Sequence, residues 1–120
     1  MEEEAMASFN KVIMVGNLTR DVELRFTQDG KPVGDFGIAV NKKGKDKETV
    51  CFVDVTVWGT LAENCAKYLS VGKPALVEGE LVYDTWVDKG SGQTRSKHKI
   101  TAYQVQFLNA PQNSDDEAPF

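Results

Sequence analysis

The chain has 120 residues, 41% hydrophobic and 27% charged, which suits one soluble globular domain and is too short for two. No apolar run approaches the roughly 20 residues that cross a bilayer. A start carrying Glu2, Glu3 and Glu4 is the reverse of a positively charged leader, so the cytoplasm is the expected compartment. The net charge of −4 is unevenly spread: residues 8–108 hold all 14 Lys and Arg against 12 Asp and Glu, a net +2, and the ends hold the excess acid.

Strand signals dominate. Phe9 to Leu18 is rich in β-branched residues and closes at Thr19-Arg20-Asp21. A second strand, Val33 to Lys42, follows the turn Gln28-Asp29-Gly30-Lys31-Pro32, and a polar hairpin at 43–49 leads into a third, Val50 to Trp58. One helix comes next: Thr60 as N-cap with Glu63 forms a capping box, and Leu61, Cys65, Tyr68 and Leu69 recur at helical spacing. Gly72 stands where a left-handed C-terminal residue belongs. A fourth strand, Pro74 to Val87, turns at Lys89-Gly90-Ser91-Gly92 into a fifth, Thr94 to Leu108. Residues 109–120, polar with two prolines, are expected to be disordered, as are residues 1–7. Five strands with a helix between the third and fourth is the order of a five-stranded Greek-key OB barrel, so the fold class expected is all-β.

Strand side chains alternate faces, which sorts the residues. In the third strand Cys51, Val53, Val55 and Val57 make an apolar face, and Phe52, Asp54, Thr56 and Trp58 point the other way. Its two aromatics therefore stand among polar groups, about 20 Å apart along the strand. In the fourth strand Val77, Leu81 and Val87 share one face, while Trp86 lies with Glu78, Glu80, Val82 and Asp84. Rings placed this way pack under the loops or in an oligomer interface, stack on unpaired bases, or line a sugar or peptide groove. Lys42, Lys43, Lys45 and Lys47 cluster at the hairpin after the second strand, and Arg95, Lys97 and Lys99 alternate along the fifth. Basic fingers beside exposed aromatics favour a phosphate backbone as the ligand.

Little suggests catalysis. The only histidine, His98, has no evident nucleophile or orienting partner, and Gly72-Lys73-Pro74 lacks the spacing of a phosphate loop. Cys51 and Cys65 have no metal-like spacing and are expected to be two reduced, buried thiols. No enzyme activity, metal or cofactor is expected.

The segments NKVIMVGNLTRDVELRFTQDGKPVGDFGIAV (10–40), VWGTLAENCAKYLSVGKPALVEGEL (57–81) and TWVD (85–88), with the terminal DDEAPF (115–120), resemble the bacterial single-stranded-DNA-binding family in order. The resemblance implies an OB domain over 8–108, a homotetramer wrapped by single-stranded DNA, and sequence-independent binding in replication, recombination and repair. It implies stacking by Phe52, Trp58 and Trp86 and phosphate contacts from Lys11 and Lys47; Lys43, Lys45, Arg95 and Lys97 join them from their placement. It further implies that residues 109–120 are a short linker and acidic tip. In that tip Asp115, Asp116 and Glu117 steer, and Ala118, Pro119 and Phe120 dock into, partner proteins, with Phe120 the anchor. A nucleoid-associated protein without a membrane segment follows. Gly44 replaces a tryptophan common in the family, Val82 and Asp84 replace basic residues, and Thr60 and Val71 stand where lysine is frequent. Fewer neutralised phosphates predict a shallower salt dependence than a fully basic member shows.

Overall fold

The computed structural model describes residues 7–108. The expected tails, including the tip residues 115–120, lie outside the described residues. Six strands and one helix follow in chain order: β1 Val12–Leu18, β2 Glu23–Phe26, β3 Pro32–Lys43, β4 Glu48–Trp58, α1 Thr60–Tyr68, β5 Pro74–Val87 and β6 Thr94–Phe107. Five of them close into a barrel in the order β1-β5-β6-β4-β3, with β1 returning to β3 at Asn17↔Ala39 and Leu18↔Ile38. All pairings are antiparallel except β4 with β6. This is the expected OB barrel, with the helix between the third and fourth of its five long strands.

Alternation fills the interior. Phe36, Ile38, Val55, Val57, Val77 and Ile100 are fully buried, and α1 closes the barrel with Ala62 and Cys65. Each large aliphatic or aromatic side chain so buried contributes about 1.5–3 kcal/mol. In β6 the inward positions change from Ile100 and Ala102 to Val105, because Glu78 pairs with Gln104 while Gly79 pairs with Ala102. The bulge leaves Tyr103 unpaired and pointing outward.

Several local expectations are corrected. The first strand begins at Val12, not Phe9: the Asn10 side chain both donates to the Leu81 carbonyl and accepts from the Leu81 N–H, each at 2.9 Å, standing in for a strand's backbone. The short β2, paired with β3 from Glu23↔Asp35 to Phe26↔Pro32, was not foreseen. Thr60 does not cap α1. The cap is Gly59, whose φ of +70° turns the end of β4 directly into the helix; its N–H completes the sheet on the Pro32 carbonyl at 2.9 Å, and no side chain caps the helix. The helix ends at Leu69 in extended conformation, and Gly72, with φ +88°, lies in the turn beyond. Cys65 is buried as expected, but Cys51 is exposed, because β3 and β4 run on past the barrel where no core covers them.

Candidate nucleic-acid interface

The register of three strands assembles one outer face. On β4, Phe52, Asp54, Thr56 and Trp58 point away from the core. The parallel pairing sets Asp54 opposite Lys99, and across β6 and β5 Lys99 faces Val82, Lys97 faces Asp84 and Arg95 faces Trp86. Cross-strand partners share a face, so Trp86 and the β4 aromatics lie on the same side of the sheet. Phe52 is 71% exposed, Trp58 49% and Trp86 42%, although each is large and apolar enough for a core. The lysine Nζ of Lys97 lies 5.7 Å from the centre of the Trp86 ring, a cation–π contact.

Several charges on this face are paired. Lys97 Nζ bonds Asp54 Oδ2, and Arg20 Nη1 stands 3.5 Å from Asp54 Oδ1. Lys99 lies 3.8 Å from Asp84, Arg95 Nε 3.4 Å from Asp88 at the hairpin turn, and Lys43 3.9 Å from Glu48. Towards Trp58, Asp35 accepts from the Thr56 hydroxyl and from Arg25 Nη2, each at 2.8 Å, which satisfies the buried threonine. The hydrogen bond from Lys97, helped by the charges of Lys97 and Arg20, holds the Asp54 carboxyl below the usual range despite its partial burial.

Of the residues expected to act together, the structure brings Phe52, Trp58, Trp86, Arg95 and Lys97 onto this face. Lys43, Lys45 and Lys47 stand at the exposed tip of the β3–β4 hairpin, closed by the Gly44 N–H on the Lys47 carbonyl at 2.7 Å. Lys11 is elsewhere. It precedes β1, two strands from β4 in the barrel order, and pairs with Glu78 at 2.9 Å, whose hydrogen bond and charge raise its pKa. Arg20 and Asp54 were not singled out from the sequence. Arg20 reads there only as part of a strand-ending turn, and its partner is far along the chain.

The reverse face of the β5–β6 hairpin carries Tyr83 against His98, ring centres 5.1 Å apart, so the histidine is engaged by an aromatic partner. Among the described residues no group of His, Cys, Asp and Glu is placed to hold a metal, and no helix is long and apolar enough to cross a membrane. Burial pushes the Cys65 thiol up to about 12.

A second outer stretch is different. On β1, Ile13 is 57% and Val15 40% exposed, beside the Lys11–Glu78 pair. One edge of β1 pairs with β5 throughout, while the other meets β3 only at Asn17 and Leu18; within the described residues Val12–Val15 therefore has a free strand edge.

Residues 9–108 match the profile of the single-strand binding protein family. A single-stranded DNA-binding protein of Wolinella succinogenes is 48% identical over 107 residues, which cover 85% of this chain and 65% of that protein. Proteins of the same name from Helicobacter hepaticus and Helicobacter pylori are 44% and 42% identical, over 93% and 84% of this chain. The chain spans 68% and 59% of those two proteins' lengths.

Proposed function

Since the chain belongs to the single-strand binding protein family, we propose that it binds single-stranded DNA without regard to sequence, as a binding protein and not an enzyme. The observation that carries this reading is the trio Phe52, Trp58 and Trp86, exposed on one outer face with Lys97 against the Trp86 ring. Every base has a π-face, so a row of rings accepts any sequence, at about 1–3 kcal/mol per stacked base. Duplex bases are already stacked on each other, so the same rings select the unpaired strand. Arg95, Lys97 and the hairpin-tip lysines Lys43, Lys45 and Lys47 supply phosphate contacts.

The exposed Ile13 and Val15 and the free β1 edge support assembly through this wall, as the homotetramer implied by the resemblance. Roles in replication, recombination and repair are proposed on the same footing, with the acidic run Asp115, Asp116, Glu117 and the following Ala118-Pro119-Phe120 as the recruiting segment for partner proteins. Deleting Phe120 is then expected to abolish partner binding and leave DNA binding intact; loss of both contradicts that role.

Titration with oligo(dT), followed by tryptophan fluorescence and with duplex DNA as control, tests the central proposal. Strong quenching by the single strand alone is expected. An unchanged signal in the folded protein, with no binding by anisotropy, would overturn it.

A further inference from the structure

Among the described ion pairs on the outer face, each carboxylate serves one cation except Asp54, which serves two. The single pairs cancel. Arg20, Asp54 and Lys97 together keep one net positive charge. They keep it beside the Trp86 ring and two residues along β4 from Phe52, within the row of exposed aromatics.

Arg20 reaches this place through a specific packing. It leaves β1 in the loop before β2, where the Thr19 N–H donates to the Gly37 carbonyl at 2.9 Å. A Cβ at position 37 would lie 2.6 Å from Thr19 Oγ1 and 2.8 Å from Arg20 Nη1. The loop lies flat on β3 because Gly37 has no side chain, and so the guanidinium, half exposed, is carried to Asp54.

We infer that Arg20 is a phosphate-binding residue of the single-strand path, and that Asp54 is the internal anion a backbone phosphate displaces from between Arg20 and Lys97. This rests on the single-strand-binding reading above. A phosphodiester carries the same single negative charge as the carboxylate and offers two free oxygens, which match the planar fork of a guanidinium while Lys97 acts as a point charge. Asp54 keeps the two cations close before DNA arrives and, remaining beside the bound phosphate, repels it. Asp54 thereby holds affinity below what the two cations alone would give.

The test compares wild type with Arg20→Gln, Asp54→Asn and Gly37→Ala in oligo(dT) titrations across a salt series, with melting curves to confirm folding. Removing one cation is expected to lower the slope of log affinity against log salt by about 0.7, which is about fivefold in affinity at 0.1 M salt relative to 1 M. Asp54→Asn is expected to move both quantities by similar amounts in the opposite direction. Gly37→Ala keeps every charge but displaces Arg20, and should weaken binding as Arg20→Gln does. Arg20→Gln with wild-type affinity and slope, or a folded Asp54→Asn that binds less tightly, overturns the inference alone. Wild type that fails to bind oligo(dT) overturns the proposed function with it.

Discussion

Two of the stretches of the outer surface that expose apolar side chains do so in different ways. The wall of β4, β6 and β5 presents separate aromatic rings, Phe52, Trp58 and Trp86, with charged groups between them. The β1 wall presents adjacent aliphatic side chains, Ile13 and Val15, one closed ion pair and a free strand edge. Rings spaced among cations suit a ligand that alternates flat bases with phosphates. Contiguous aliphatic area beside unpaired backbone groups suits another protein surface, because only a second chain can both exclude water and complete the sheet. On the proposed reading, one barrel separates nucleic-acid contact from self-association by placing them on different strands.

The largest test of that separation is removal of the rings. Trp58→Ala and Trp86→Ala should each weaken oligo(dT) binding by about 1–3 kcal/mol, measured by anisotropy, while the mass seen by light scattering stays constant. A change in mass would join the two walls. Next, trimming the β1 wall with Ile13→Ala and Val15→Ala should loosen self-association by about 1–3 kcal/mol in sedimentation experiments. Binding of a short oligomer that fits one barrel should not change.

A smaller effect concerns Asp54. Its folded pKa is depressed by Lys97 and Arg20, so the stability from these pairs is present above the unfolded carboxylate pKa, near pH 4, and fades as pH falls through the lower folded value. The group is partly exposed, so the contribution is about 0.2–1 kcal/mol. Urea midpoints of wild type and Asp54→Asn should differ at pH 7 and converge on acidification; a gap that widens towards acid contradicts the pairing. The smallest test is chemical. In the folded protein one thiol, Cys51, should react with a disulfide reagent, and Cys65, raised to about 12 by burial, should react only on unfolding.

What was legible in the sequence follows from the range of each interaction. Alternation is local, so the parity of Phe52, Trp58 and Trp86 could be read along each strand, and the barrel order followed from the strand and helix signals. The strand β2 was missed because, although Glu23-Leu24-Arg25-Phe26 alternates polar and apolar, it is only four residues long and Phe26 is its one strong strand former. The helix cap was misassigned because Thr60 and Glu63 have the composition of a capping box, whereas the tight exit from β4 required the positive φ of Gly59. The exposure of Cys51 depends on how far the β3–β4 hairpin outruns the barrel, which parity does not encode. The grouping of Asp54 with Arg20 and Lys97 was invisible for another reason: they come from three separate elements, 34 and 43 residues apart along the chain, and meet only once β4 pairs with β6 and the loop after β1 lies over Gly37.

The division between the two walls is tested most directly by amide hydrogen exchange with and without oligo(dT). New protection is expected across Phe52–Trp58 and Val82–Lys99, with no change across Val12–Gly16. Protection that instead appears on β1, with β4 and the β5–β6 hairpin unaffected, would contradict it.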